Sequence, residues 1–445
     1  MKQVSQNYKT GMIRLESTNA PAIRTGGVLV RTHYSAVSAG TEGMKVKEGK
    51  LSYLGKARAR PDQVKKVLNT LRQQGLAATY QKVMNKLDKL TPLGYSLSGE
   101  VIAVGPGAEE FHVGQRVACG CAGYANHSEV NFVPKNLVVP VPDSVMMKHA
   151  AYATVGAIAM QGFRQAELQL GETVCVVGLG LLGQILVQIL RAAGVRVIGV
   201  DIVDSRCELA LKCGAVAAMR PDDPRLRNAI GRMTDGHGVD TVFITAGGSS
   251  NGPLELAVEI ARDRARIVDI GKTKLDLPWN DCYMKELDMR FSRSYGPGRY
   301  DPRYEEQGID YPIGYVRWTE RRNMASFLDL IAEGRVQLDP IITSVRSFEE
   351  AEHVYQELAD GKGDSLGTVF EYAIGENVQK HLPVLATTSA GAGRSPASGV
   401  VRVGVIGAGN YASTMLLPHL KANRDLILDS VATASGLSGQ DAMRK

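Results

Sequence analysis

The 445-residue sequence predicts an α/β protein: a β-rich unit, a doubly wound parallel sheet, a return to the first unit, and the opening of a second strand–helix–strand unit. Three observations carry this expectation. Residues 1 to about 43 and 94 to about 142 run in short β-type stretches broken by turns such as "GPG" and "HVGQ". Between Thr173 and Gly271, apolar runs ("TVCVVG", "RVIGVD", "DTVFITAGG", "RARIVDIG") alternate with helical patterns, as a parallel sheet covered on both faces requires. Finally, "VRVGVIGAGN" from Val401 repeats the strand-to-glycine turn with which such a unit begins.

Composition narrows the class. Hydrophobic residues at 44% and charged residues at 22% describe an ordinary soluble globular protein. No run of about 18 apolar residues occurs, and the start "MKQVSQNYKTGMIRLE" lacks a signal-peptide core, so a cytoplasmic location without a membrane partner is expected. Six cysteines are sparse for this length and predict reduced, mostly buried thiols.

Inside the first β-rich unit the period changes. Val64, Val67, Leu68 and Leu71 recur at helical spacing after Pro61-Asp62; Gly75 interrupts, and Tyr80, Val83, Met84 and Leu87 resume it. This basic helical pair lies within a stretch, Met44 to Pro92, that holds 12 Lys/Arg against 3 Asp/Glu. It reads either as a solvated face or as an attractor for a phosphorylated or acidic substrate. Few aromatics interleave with the cations, which disfavours nucleic acid.

"VCVVGLGLLGQILVQILRAAGVRVIGVD" carries the chemistry. Gly178 makes the turn after a strand, Gly180 lets the backbone approach a pyrophosphate, and Gly183 lets helix and strand pack closely. The helix N-terminus offers free N–H groups to the phosphates. Asp201, 18 residues beyond Gly183 at the end of the next strand, is placed to accept from the adenosine ribose and to repel a 2′-phosphate. The expected cofactor is therefore NAD rather than NADP, held by Gly178, Gly180, Leu181, Leu182, Gly183, Asp201, Arg206 and Ala246. Arg206 is the residue able to accommodate NADP instead.

"VSAGTE" (37–42), "PLGYSLSGEVIAVGPG" (92–107), "FHVGQRVA" (111–118) and the glycine motif together resemble the medium-chain dehydrogenase/reductase superfamily over residues 1 to about 374. The resemblance implies a GroES-like substrate domain interrupted by a Rossmann domain, with the active site between them. Expected bounds are 1–145 for the GroES-like domain with its basic insertion at 55–90, 146–290 for the Rossmann domain, and 291–374 for the return. A linker at 375–399 and a partial second Rossmann unit at 400–445 follow.

Zinc-dependent members of that family carry ligands where this chain has Ala39, Tyr95 and Val155, and no such set makes a zinc site. The four-cysteine zinc lobe is also missing, so the expectation is an enzyme without zinc, like the quinone reductases of the superfamily. Thr41 matches the hydroxyl that relays the proton in zinc-containing relatives, and Tyr95 replaces a metal ligand. Both are candidate catalytic residues, against the alternative that they merely line a cleft wall. Glu42 reads as structural, and none of His33, His127, His149 and His237 stands out as a base.

In the tail, Gly407-x-Gly409-x-x-Ala412 between a strand and a helix resembles the opening of the glucose-fructose oxidoreductase and inositol dehydrogenase family. The alternative is a strand–helix extension. The fusion resembles bacterial bi-domain oxidoreductases of surface-polysaccharide metabolism. The leading expectation is a zinc-independent, NAD(H)-dependent oxidoreductase interconverting alcohol and ketone on a sugar, phosphorylated sugar or nucleotide sugar, and forming a homo-oligomer. Two alternatives stand beside it: a tetrapyrrole hydroxyethyl dehydrogenase, since "SAGTE" is similar to the bacteriochlorophyllide enzyme, and a nucleotide-binding regulator without catalysis.

Overall fold

A computed structural model describes residues 1–361, 365–373, 400–409, 411–433 and 435–444. The expected linker at 375–399 lies outside the described residues.

The strand Thr173–Val177 is buried at every position, and its β-branched residues suit the centre of a sheet. It lies between Arg196–Val200 and Val239–Ile244 in a six-stranded parallel sheet. Ala217–Met219 closes one edge; Ala261–Asp269 and then Asp288–Phe291 extend the other. The strand order reverses at Thr173–Val177, which places a crevice at the C-terminal ends of the central strands. Helix Leu181–Ala192 buries Ile185, Leu186, Ile189 and Leu190 on this sheet, each worth about 1.5–3 kcal/mol, and keeps its one charge, Arg191, exposed. Gly194, at φ +80°, ends it with the left-handed turn that glycine adopts without strain.

The β-rich unit is built on a seven-stranded sheet. Gly27–Val37 pairs antiparallel with Ser96–Val104 and with Val130–Pro134, and Arg116–Gly120 and Val138–Pro140 follow. Its other side is completed from far along the chain, because Gly367–Glu371 pairs antiparallel with Gly27–Val37 and carries Ile342–Ser347 outside it. A smaller sheet, Ile13–Ser17, Lys2–Asn7 and Leu90–Pro92, packs beside it. Helix Ala153–Ala166 joins the two units. Ala157 and Ala153 meet the core of Val28, Leu97 and Val117, while Ala159 and Met160 meet that of Val174, Val176 and Phe243.

The insertion forms helices Tyr53–Ala59 and Pro61–Leu87, the second turned sharply at Gly75 (φ 79°, ψ 173°). Between the parallel sheet and Ile342–Ser347 lie the single turn Pro302–Glu305, capped by Asp301, and helix Glu320–Ala332. The tail forms its own two-stranded parallel pair, Val401–Ile406 with Leu426–Ala432, and helix Gly436–Arg444. That helix buries Leu437 and pairs Arg444 with Glu16.

Candidate active site

The glycine turn has three separate constraints. A Cβ on Gly178, at φ +102°, would lie 2.5 Å from Ala246 N, and one on Gly183 would lie 2.0 Å from Gly178 O. A Cβ on Gly180 would meet nothing within 4 Å, so this face is open at the start of helix Leu181–Ala192. Leu181 and Leu182 form its first turn, whose N–H groups have no partner in the helix. Asp201 is buried at the neighbouring strand end, where its Oδ2 accepts from Leu179 N (2.6 Å) and its Oδ1 from Val203 N (3.0 Å). Arg206 Nη1 stands 3.7 Å from Oδ1 on a half-exposed side chain. The structure thus brings all eight expected cofactor residues to one side of the crevice.

Further along the crevice, Asp269 and Ser292 mark the ends of neighbouring strands. Asp269 Oδ1 and Ser292 Oγ are buried without a hydrogen-bond partner. Burial pushes the Asp269 carboxyl up to about 6. Open Gly180, a free helix N-terminus and these orphaned polar atoms fit a dinucleotide.

Thr41 and Tyr95 meet although 54 residues separate them. Thr41 is exposed at the start of helix Thr41–Lys50, where its N–H donates to Ser38 Oγ (3.2 Å). Tyr95 is buried, with Val155 in the same apolar cluster, and its hydroxyl lies beside the hydroxyls of Ser38 and Thr41. Burial pushes the phenol up to about 12, against the pull of those two hydroxyls, so Tyr95 remains a proton donor at neutral pH. Ala39 is exposed beside them. Methyl, phenol and isopropyl groups do not supply the thiolate, imidazole or carboxylate that zinc needs. Among the described residues no group of three His, Cys, Asp or Glu stands close enough to hold a metal ion.

Two buried polar networks lie behind the cleft. Glu42 is fully buried, and its carboxylate accepts from Ser38 N (2.9 Å), Gly94 N (2.8 Å) and Tyr355 Oη (2.8 Å), with His127 Nε2 at 3.2 Å. Burial pushes this carboxyl up, but the His127 imidazole and the hydrogen bonds outweigh it and hold it below the usual range. Ser35 Oγ then links His127 Nδ1 (2.7 Å) to Tyr372 Oη (2.9 Å).

The second feature starts from register. Ser96 faces Gly120, so Tyr95 and Cys121 leave their strands side by side. Cys121 receives Arg299 Nη1 at 3.5 Å, and the same nitrogen donates to Glu305 Oε1 at 2.6 Å. Tyr295 Oη, Tyr304 Oη and both oxygens of fully buried Glu320 have no hydrogen-bond partner. Burial, with Glu305 adding to it and Arg299 opposing it, pushes the Glu320 carboxyl up to about 9. Only spacing of one to three residues is visible in a sequence; these groups converge from three separate segments.

A family model described as zinc-binding dehydrogenase matches residues 182–307, and one described as alcohol dehydrogenase GroES-like domain matches residues 70–143. Over these residues the chain is similar to the medium-chain dehydrogenase/reductases. On these similarities it is an oxidoreductase. It is 26% identical over 279 residues to the D-guloside 3-dehydrogenase of Escherichia coli (strain K12), spanning 60% of this chain and 73% of that protein. It is 26% identical over 304 residues to the probable D-xylulose reductase A of Arthroderma otae, spanning 61% and 78%. Solved structures share the fold. Galactitol-1-phosphate dehydrogenase from Escherichia coli superposes with a TM-score of 0.63 at 19% identity, covering 83% of this chain and 100% of that one. A mycobacterial quinone oxidoreductase does so with a TM-score of 0.59 at 19% identity, covering 83% and 99%.

Proposed function

We propose that the protein interconverts an alcohol and a ketone on a small sugar-derived substrate, using NAD(H) and no zinc. The observation that carries this reading is the Tyr95 phenol, protonated at neutral pH and placed beside Thr41, at the position where the family resemblance implies a metal ligand. In the oxidising direction NAD, when bound, supplies the hydride acceptor. Tyr95 and Thr41 hydrogen-bond the substrate oxygen and stabilise charge developing on it, an effect worth a few kcal/mol in a dry site. Exposed Thr41 is the route by which the alcohol proton leaves. Gly178, Gly180, Leu181, Leu182, Gly183 and Ala246 hold the dinucleotide, and Asp201 takes the adenosine ribose.

The activities named for the guloside, xylulose and galactitol-phosphate relatives support a polyhydroxylated substrate. Phosphorylated and nucleotide sugars of surface-polysaccharide synthesis form the first panel to test. The tail's Gly407 turn, at φ +87°, supports its reading as the opening of a second nucleotide-binding unit. A homo-oligomer is supported by the free edge of Asp288–Phe291 and by Trp279, Tyr283 and Met284 exposed beside it.

The test is nicotinamide absorbance on mixing metal-depleted protein with NAD and a panel of hexitols, sugar phosphates and nucleotide sugars. Turnover that survives chelation supports the reading; turnover that appears only when zinc is restored overturns it.

A further inference from the structure

We propose that the helical hairpin of residues 53–87 is a docking element for an anionic lipid surface. Its two long arms lie side by side around Gly75, with Lys86 Nζ donating to Gln63 Oε1 at 2.9 Å. Each arm carries an apolar row at helical spacing, and Val64, Val67, Leu71, Val83 and Leu87 are half-buried. What remains outside is large and apolar: Leu54 and Leu76 are each 77% exposed, Tyr80 69% and Leu68 50%. Leu76 and Tyr80 follow the turn, and a Cβ on Gly75 would meet nothing within 4 Å, so the apolar end points into open space. Segment Ala412–Leu416 lies against the long helix and adds exposed Met415 and Leu416 to the same region.

Cations run from the base of the hairpin along its arms without being neutralised. Lys45, Lys47, Arg58, Lys65, Lys66, Arg72 and Lys89 have no carboxylate partner among the described residues, whereas Glu48 is already taken by Arg60 and Asp88 faces Lys9. Elsewhere arginines are matched, as Arg227 is by Glu259 and Arg346 by Glu357. A soluble phosphate accounts for the cations but leaves the leucines in water. Nucleic acid leaves them there too. A bilayer interface with anionic headgroups satisfies both, since aliphatic and aromatic residues enter the acyl boundary while Lys and Arg hold the phosphates. A convex projection with its apolar residues at the tip needs a yielding surface rather than a shaped groove.

Among the described residues no helix is long and apolar enough to cross a membrane. The sequence expectation of no membrane partner rests on the lack of a long apolar run and of a signal-peptide core, and surface docking requires neither. The inference is independent of substrate identity and of zinc.

The experiment is co-sedimentation of the full chain with vesicles of phosphatidylcholine alone or mixed with phosphatidylglycerol. At low ionic strength roughly tenfold more protein is expected with the mixed vesicles, declining as salt screens the charges. The triple variant Lys65→Glu, Lys66→Glu, Arg72→Glu is expected to lose that preference. The variant Leu76→Ser, Tyr80→Ser is expected to weaken binding at low and high salt alike. Circular dichroism and NAD titration check that both variants stay folded. Equal binding to both vesicle types, or binding indifferent to both variants, overturns the proposal. So does protection from vesicles by polyglutamate or inorganic phosphate at matched ionic strength, which assigns the surface to a soluble anionic partner.

Discussion

His127 Nε2 stands 3.2 Å from Glu42 Oε1, and neither side chain is reached by solvent. Thr41 precedes this glutamate by one residue, and Gly94, whose N–H it accepts, precedes Tyr95 by one. The buried pair therefore fixes the two backbones that present the candidate catalytic hydroxyls. Removing the carboxylate with Glu42→Ala leaves His127, Tyr355 and two N–H groups without an acceptor. A loss of about 3–5 kcal/mol in denaturant unfolding is expected. Because the folded carboxyl is held low, its contribution is complete above the unfolded value and fades as pH falls through the folded one. Acid titration of wild type and Glu42→Gln checks this, since only the wild type is expected to show that acid limb.

Tyr95→Phe removes the phenol and leaves its ring in the same apolar cluster. Turnover is expected to fall roughly 100-fold or more, by analogy with loss of one oxyanion donor, with little change in melting temperature. Thr41→Val is expected to act on turnover in the same direction. Unchanged kcat in both variants would leave Thr41 and Tyr95 as cleft wall.

Asp201→Ser is expected to narrow the preference for NAD over NADP by about 1–3 kcal/mol. The neighbouring Arg206, 3.7 Å from the carboxylate, becomes free to meet a 2′-phosphate in that variant. Fluorescence titration with both cofactors measures it, and tighter binding of NADP by the wild type would remove Asp201 from its assigned role.

Gly180→Asp places a carboxylate on the one open face of the glycine turn. Calorimetry is expected to find no NAD binding, while the fold survives because the added atoms meet no neighbour. Near-normal affinity in this variant would move the cofactor site to the Gly407 turn.

Glu320 gives the opposite pH signature to Glu42. Its folded value, about 9, lies above the usual carboxylate range, so its stabilising protonated form is complete below that range and is lost as pH rises toward 9. Each pH unit of that interval costs about 1.4 kcal/mol at most. Thermal melts from pH 5 to 9 are expected to show the wild type losing stability relative to Glu320→Gln; parallel curves would show that the carboxyl titrates normally.

The Rossmann sheet was legible because its central strands are continuous apolar runs and because Gly178 and Gly183 sit where backbone contacts leave no room for a side chain. Ala217–Met219 and the edge strand Asp288–Phe291 were not, being three and four residues long with side chains only half-buried. Periodicity also placed both arms of the basic insertion, since Gly75 interrupts the helical row where the chain turns. At the candidate site, Thr41 and Tyr95 were found by position in a motif. His127 was passed over because its network of Ser35, Glu42 and Tyr372 is assembled from three separate segments, strand Gly27–Val37, helix Thr41–Lys50 and the residue after strand Gly367–Glu371. Glu320 shows the same limit: its sequence neighbours are ordinary, and only burial makes the group unusual.

The bond between Ser35 Oγ and Tyr372 Oη spans 337 residues. A ribosome moving at about 5–20 residues per second needs some tens of seconds to cover that interval. Throughout it, Gly27–Val37 lacks the neighbour that Gly367–Glu371 later provides, while the nucleotide sheet between them is already complete in sequence. The cofactor half is thus ready to form first during synthesis, and the nascent first unit must wait with one edge open to chaperones or to misassociation.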